Sequence, residues 1–510
     1  MTNLLREIMI KDEKFDLILL LLVSILLSIY LFFYTYIISL DGAFQYIPIA
    51  KDFASGFFRK ALSHNQQPLY PLIIAFISRW VSDFELAGKL VSSFFGILII
   101  FPVYFLGKRI FDEKIAFLST LLLAIHPYIR RFSADVLKES TYLFFFATAI
   151  WFAWRTIQSE KRYPYLFIPL FSVLAYLVRP DGIEVLLVVF FYVLFVKKFD
   201  NTGKKGAVIL LLLLSSFVLF LPYLIHLRES TGTWTLSRAK SFSGLLGLGV
   251  TSAEVSFTYK ILFSLKKLNL EIFTRFHPVY IILLIIGLLK GIFSRLKTGE
   301  RFLLSFCALH YVVLFLFVLN MTEWGEGGTI RAGQFSGRFV LPLLLISIYW
   351  VGGGFLVIYH WVYKKLKANP LLIRWGPERK SIIVLVSLLI LMLGIVLPKT
   401  LKPQRYERLA EKWAGIWIKN QSGKGATIFT NMPRVAYYAD GSCEYFNFEK
   451  EPLDQVHAGM VNKKASYLVI RGEESNNLNT AAEPIRKCFV EAMRYEKKGM
   501  ERIIVYQRAQ

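Results

Sequence analysis

Residues 16–46 read DLILLLLVSILLSIYLFFYTYIISLDGAFQY. After Asp16 no charged side chain appears before Asp41, and a helix of that length crosses the ~30 Å hydrocarbon core of a bilayer. The run exceeds the ~7–15-residue apolar core of a signal peptide, and no small-residue cleavage site follows it. It is therefore expected to be retained as a first membrane span. Asp41 and Gly42 then fall where the span ends, and a carboxylate at that depth is either the solvated end of a helix or a working group.

The same apolar run recurs along the chain. Of 510 residues 55% are hydrophobic and 16% aromatic, and the mean hydropathy is +0.49. The ~20-residue criterion marks about eleven spans, at 16–38, 84–106, 114–128, 140–157, 164–179, 182–197, 207–227, 277–294, 302–320, 338–363 and 381–398. The expected fold is thus an all-α polytopic membrane protein, from residue 1 to 400, followed by a small extracytoplasmic α/β domain over 401–510. In a soluble chain a net charge of +24 would suggest nucleic acid. Here the bases gather in alternate loops, as cytoplasmic loops require, so no nucleic acid is expected as a partner. Lys108, Arg109 and Lys114 bracket one such loop; Lys197, Lys198, Lys204 and Lys205 another; Lys364, Lys365, Lys367, Arg374, Arg379 and Lys380 the last.

That alternation places the N-terminus in the cytoplasm, and the protein is expected in the plasma membrane. Residues 40–83, 129–139, 228–276 and 321–338 then lie on the outer face, as does the tail. Within the tail, RYERLAEKWAGIWIKNQ reads as a helix and ATIFT, ASYLVI and RIIVYQ as strands, with GEESNNLN breaking the later elements. Cys443 and Cys488 would pair there if brought together in an oxidising compartment. The two Asn-x-Ser/Thr matches, at Asn320 and Asn420, are as frequent as chance allows.

Transporters place ionisable groups in mid-span. This chain keeps its span interiors nearly free of Asp, Glu, Lys and Arg and clusters them at the outer mouths, which argues for surface chemistry. A transporter or lipid flippase is the competing class; an O-antigen ligase or polymerase would need a dominant late loop with essential Arg and His. After Asp41, Phe44, Ile47, Ala50 and Phe53 recur at helical spacing, as in an interfacial amphipathic helix. The polar quartet His64–Gln67 follows, stopped by Pro68. In HPYIRRFSADVLKESTYLFF (126–145) a continuous helix would align Arg131, Asp135 and Glu139 on one face. Asp135 is then either salt-bridged structure or part of a site, and Glu139, nearer the apolar run, is the better functional candidate. YLVRPDG carries Arg179, and GGTIRAGQFSGRFVLP carries Arg331 and Arg338. These arginines either snorkel or clamp a phosphate, whose oxygens match the planar guanidinium.

The order of these landmarks resembles the GT-C superfamily of polyprenyl-phosphate-dependent glycosyltransferases. Asp-Gly follows the first span, then come PLYPLIIA, a span ending VYFLGKRIF, HPYIRRFSADVLKESTYLFF, VRPDG and GRFVLPLLL. Within the superfamily the likeness is to the dolichyl-phosphate-mannose protein mannosyltransferase, aminoarabinose transferase and RgtA/B/C/D-like group, over about the first 400 residues. The resemblance implies a cell-envelope enzyme that transfers a sugar, with inversion, from a polyprenyl-phosphate sugar donor to a lipid, glycan or protein acceptor, among membrane lipids. It matches the family's first-loop catalytic acid to Asp41 and its second acidic position to Glu139, with Asp135 as the competing alignment. The family's Pro-Pro-Leu appears as Gln67-Pro68-Leu69, and Gly42 stands where many members carry a second acid.

The residues fit that chemistry. Polyprenyl phosphate is a good leaving group, so cations matter more than a strong acid. Arg338, helped by Arg179, Lys138 or His64, would hold the donor phosphate. Asp41 would act as general base toward the acceptor. One base and one displacement invert, whereas two close carboxylates would retain. Tyr46, Gln67, Asp135 and Arg331 are the candidate substrate-positioning residues. No cofactor is expected. A divalent cation would need Asp41, Asp135 and Glu139 to converge, and nothing in the sequence calls for one.

Overall fold

The computed structural model describes residues 13–158, 163–197, 202–236, 238, 257–324, 330–332, 335–367, 376–446, 453–472 and 488–508. Each of the eleven apolar stretches carries a helix. Among the described residues six helices are long and apolar enough to cross a membrane: Glu13–Phe33, Phe84–Ile110, Gly203–Thr231, Thr298–Met321, Gly337–Leu366 and Pro377–Thr400. The other expected spans are shorter or less apolar. Glu113–Ile125 stops before His126-Pro127, and Phe167–Tyr176 stops ahead of Arg179-Pro180; a residue preceding proline is driven out of helical geometry. One segment expected to be loop is instead helical. Phe257–Phe276 forms a 20-residue helix, and its continuation Pro278–Phe293 turns away from it by 102° at His277. Lys260, Lys266, Lys267, Glu271 and Arg275 keep its hydropathy low, which is why it escapes an apolarity criterion.

By contact density the chain divides into two units. A membrane unit holds residues 1–29, 49–134 and 138–401. A tail unit holds 402–510 together with 30–48 and 135–137.

Two devices hold the membrane unit together. Arg130 is fully buried; it donates to the Ser24 and Ser28 hydroxyls at 2.8 and 3.2 Å and to the Gly96 carbonyl at 2.9 Å. It thereby pins Glu13–Phe33 to Phe84–Leu98 through groups that hydrocarbon cannot solvate. The second device is close packing. Helix Pro278–Phe293 crosses helix Leu341–Lys367 so tightly that a Cβ at Gly287 would lie 1.9 Å from the Trp350 carbonyl oxygen, and one at Gly354 1.9 Å from that of Leu283. Small residues permit such backbone approach between membrane helices. Gly287→Val is therefore expected to cost about 3 kcal/mol by overpacking. A detergent thermal melt checks this, and a wild-type midpoint would contradict the crossing.

In the membrane unit Thr322–Trp324 (β1) and Ile330–Ala332 (β2) pair antiparallel. The tail unit carries a five-stranded mixed sheet. Its strands are Thr427–Thr430 (β3), Ser442–Glu444 (β4), Tyr467–Arg471 (β5), Phe489–Tyr495 (β6) and Ile503–Arg508 (β7), in the order β4-β3-β5-β7-β6. β3 pairs parallel with β4 and β5, while β7 runs antiparallel to β5 and β6. Side chains alternate faces along a strand. Tyr467, Val469, Ile503 and Val505 pack on helices Leu409–Ser422 and Pro433–Tyr438, and Leu468, Ile470, Ile504 and Tyr506 pack on Leu453–Asn462. Burial on both faces explains why these strands are almost wholly apolar. The expected helix and three strands are present; β4, β6 and helices Pro433–Tyr438 and Leu453–Asn462 are additional. GEESNNLN lies almost wholly outside the described residues. Cys443 and Cys488 are free thiols, and the sheet itself separates them, one packing with each core.

Candidate active site

In the membrane unit three chain segments that enter helices bring cations together. Lys138 precedes helix Glu139–Ile157, Arg179 precedes the short 3-10 turn Pro180–Ile183, and Arg338 lies in the 3-10 turn Gly337–Val340 that opens into helix Leu341–Lys367. Arg338 Nη1 stands 3.4 Å from Glu139 Oε1, whose side chain is only 4% exposed. The other carboxylate oxygen, Oε2, is buried without a hydrogen-bond partner. Arg179 makes a two-pronged bond to Asp181, at 3.1 and 2.7 Å, and its guanidinium lies 4.5 Å from the Tyr142 ring and 5.0 Å from that of Phe339. Gly182 makes this turn feasible, because a Cβ there would sit 2.3 Å from the Tyr176 nitrogen.

Lys138 donates to Gln66 Oε1 at 2.8 Å. Its ammonium titrates low, at about 8, mainly because it is buried; Arg179 and Arg338 push the same way and Glu139 and Asp181 oppose them. Those causes describe one electrostatic cluster in which Lys138, Arg179 and Arg338 lie with Glu139 and Asp181. It suits a phosphate anion in a site of low dielectric.

A pair that the sequence reading overlooked braces the Arg338 turn. His310, buried, lies 2.8 Å from Glu184 Oε2 through Nδ1 and 3.0 Å from the Phe339 carbonyl oxygen through Nε2. A polar side chain deep in an otherwise apolar helix is itself a signal. His310 carries that signal inside the expected span 302–320, and Glu184 carries it inside 182–197. Gly337 completes the turn: a Cβ there would strike Arg275 and Glu271 of helix Phe257–Phe276.

The other expected residues have different surroundings. His64 Nε2 lies 3.1 Å from Asp52 Oδ2, and Lys60 donates to Asp52 Oδ1 at 2.7 Å. Burial acts to raise the Asp52 pKa, yet these two bonds outweigh it and hold the carboxyl below its ordinary range. His64 is thus tied to a carboxylate rather than to the cation cluster. Gln67 is buried and donates to the Leu236 carbonyl at 3.3 Å, beside the Tyr176 hydroxyl bond to that same oxygen at 2.7 Å. The backbone of Arg331 lies in β2, and its side chain falls outside the described residues.

Asp41, Tyr46 and Asp135 belong to the tail unit. Asp41 stands in the first turn of a helix that continues as a π-helical turn, Gly42–Tyr46, with Tyr46 buried. π turns arise where a helix is strained or functional. A Cβ at Gly42 would come within 2.9 Å of Ile38, Ser39 and Val136, so only glycine fits after Asp41.

Asp135 corrects the expectation of a continuous helix. Helix Pro127–Ser133 ends, and a new one starts at Glu139, so Arg131, Asp135 and Glu139 do not share a helical face. Fully buried, Asp135 accepts from the Ser39 and Val136 amides at 3.2 and 2.8 Å and forms an ion pair with Arg405. Its oxygens are thus engaged by partners within the tail unit. Among the described residues no three His, Cys, Asp or Glu side chains are arranged to hold a metal ion.

Residues 65–226 match the family model described as dolichyl-phosphate-mannose-protein mannosyltransferase. No curated protein matches the sequence. Among solved structures, the fold is similar to that of ArnT from Cupriavidus metallidurans bound to undecaprenyl phosphate, at 12% identity and a TM-score of 0.58, over 97% of this chain and 98% of that one. It is also similar to the archaeal oligosaccharyltransferase AglB from Archaeoglobus fulgidus in complex with an inhibitory peptide and a dolichol-phosphate, at 13% identity and a TM-score of 0.56, over 97% of this chain and 74% of that one. A third likeness is to the arabinofuranosyltransferase AftD from Mycobacteria, at 11% identity and a TM-score of 0.50, over 97% of this chain and 41% of that one. At such identities the structural likeness speaks for the fold, and the family match over the 65–226 segment speaks for the kind of enzyme. This multi-pass membrane protein thus has a fold similar to that of GT-C glycosyltransferases, and within it residues 65–226 match the mannosyltransferase family model.

Proposed function

We propose that the protein transfers a sugar, with inversion, from a polyprenyl-phosphate donor to a hydroxyl or amine of a lipid, glycan or protein acceptor at the outer face of the plasma membrane. The observation that carries this reading is the cluster of Lys138, Arg179 and Arg338 around the buried Glu139. The alternation of basic loops supports the outer face, with the N-terminus cytoplasmic and the tail extracytoplasmic.

In this mechanism the three cations bind the donor phosphate and stabilise the charge that grows on it as the bond to the sugar C1 breaks. The acceptor oxygen or nitrogen attacks C1 from the opposite side, and Asp41 takes the acceptor proton. The products are an inverted glycoside and free polyprenyl phosphate. Glu139 holds Arg338 in place and offers its second oxygen to an acceptor or sugar hydroxyl. His64, bound to Asp52, has no assigned part in phosphate binding.

The test is transfer by the purified protein from a panel of polyprenyl-phosphate sugars, with the anomeric configuration of the product read by NMR. Inversion is expected. A retained anomer, or no transfer from any lipid-linked donor while sugar nucleotides are consumed, would overturn the assignment.

Lys138 adds a pH prediction. Burial sets its folded pKa near 8, below the value of a free lysine. In the empty protein the buried charge costs stability below that pH, and the cost is relieved as pH rises through 8. Phosphate binding wants the charged form, so donor affinity should weaken by up to about tenfold per pH unit above 8. Lys138→Arg stays charged and should flatten the profile of donor KM between pH 7 and 10. An unchanged wild-type KM across that range would remove Lys138 from the phosphate site.

A further inference from the structure

Within the tail unit residues 34–39 are held at several of their backbone polar groups. The Tyr34 carbonyl accepts from the Gln404 amide at 2.9 Å, and the Gln404 side chain donates to Thr35 Oγ1 at 2.9 Å. Arg405 Nε donates to the Ile37 carbonyl at 2.9 Å. Arg434 Nε donates to the Ile38 carbonyl at 2.8 Å, and the Ile38 amide donates to the Tyr438 hydroxyl at 3.0 Å. The Ser39 amide is taken by Asp135, itself paired with Arg405. Arg434 is in turn fixed by Glu411 at 3.2 Å, where the Glu411 side chain is 1% exposed.

This pattern is unusual for a connection between a helix and a loop. Side chains from far along the sequence satisfy main-chain groups that would otherwise face water or go unpaired. The residues so held end two positions before Asp41. Gly42 closes the arrangement, its amide donating to Ser39 Oγ, which donates to the Val136 carbonyl.

We propose that Arg405 and Arg434 are positioning residues, through which the tail domain fixes the main chain that carries Asp41. The inference rests on the reading of Asp41 as the base. A base must sit within hydrogen-bond reach of the proton it takes, and a displacement of about 1 Å costs on the order of 100-fold in rate. A tether at the backbone of residues 37–39 sets the start of the helical turn and with it the Asp41 carboxylate. The tail domain then contributes to turnover without touching the reacting atoms.

The experiment compares Arg434→Ala, Tyr438→Phe and Asp41→Asn in the full-length protein with two readouts: amide hydrogen exchange across residues 35–45, and kcat against donor KM. Arg434→Ala should accelerate exchange there and lower kcat about tenfold or more, with donor KM within about twofold of wild type. Tyr438→Phe removes one acceptor without disturbing Glu411. It should give a smaller change of the same kind, and it decides the matter if Arg434→Ala fails to melt cooperatively. Unchanged exchange in the folded variants, or faster exchange with wild-type kcat while Asp41→Asn is inactive, would overturn the positioning role alone. Wild-type turnover by Asp41→Asn would instead overturn the base, and the positioning role with it.

Discussion

Arg338→Ala is expected to lower kcat for sugar transfer by about 10²–10³, or ~3–4 kcal/mol of transition-state stabilisation, the usual loss when one preorganised donor to a developing anion is removed. The physical reason lies in its surroundings. Arg338 is partly exposed, with a quarter of its side chain accessible, so it can reach a ligand, while its partner Glu139 is almost wholly enclosed. Removing the guanidinium has a second cost, because it leaves a buried carboxylate without its counter-charge. The two effects separate in a double-mutant cycle. Glu139→Gln relieves the stranded charge, so Arg338→Ala should melt closer to wild type in that background while its kcat stays low. Arg338→Lys keeps the charge but loses the planar fork, and should recover part of the rate. Wild-type kcat in folded Arg338→Ala would remove this residue from the phosphate site, and a fully rescued rate in the double variant would make its role structural.

Much of this site is legible in the sequence because membranes simplify the problem. Hydrocarbon tolerates few charges, so those at Glu139, Arg179 and Arg338 stand out, and prolines and glycines beside them mark where helices begin. The strands of the tail are legible for a related reason: a sheet buried on both faces writes itself as short apolar runs such as SYLVI. What fails is whatever depends on distant partners. Asp135 pairs with Arg405, 270 residues away, and no periodicity predicts that the helix must break around it. Helix Phe257–Phe276 is hidden by its own charges, and the 102° bend at His277 depends on a residue whose φ is +71°. The membership of residues 30–48 in the tail unit is invisible to any local reading, since it is made by Arg405, Arg434 and Tyr438 acting on a backbone rather than on side chains with a recognisable pattern.

Asp41→Asn should be as damaging as loss of Arg338, and in a different way. The amide keeps the shape and the hydrogen-bonding capacity of the carboxylate but cannot take up the acceptor proton. A positioned general base contributes about 10²–10⁴ in rate. The expected result is therefore a fall in kcat of that size, with donor KM unchanged, because the proposed mechanism gives the donor phosphate to other residues. Gly42→Ala tests the same base through geometry. The added methyl would meet Ile38, Ser39 and Val136 at 2.9 Å, too close for a real contact, and the turn must shift to accommodate it. Asp41 moves with that turn, so Gly42→Ala should also lower kcat while leaving the donor bound. If Asp41→Asn turns over normally, the proton goes elsewhere. The buried oxygen of Glu139, which has no hydrogen-bond partner, is then the next carboxylate to substitute. If Asp41→Asn is inactive and Gly42→Ala is not, the base tolerates a displaced main chain, and its reach comes from the side chain alone.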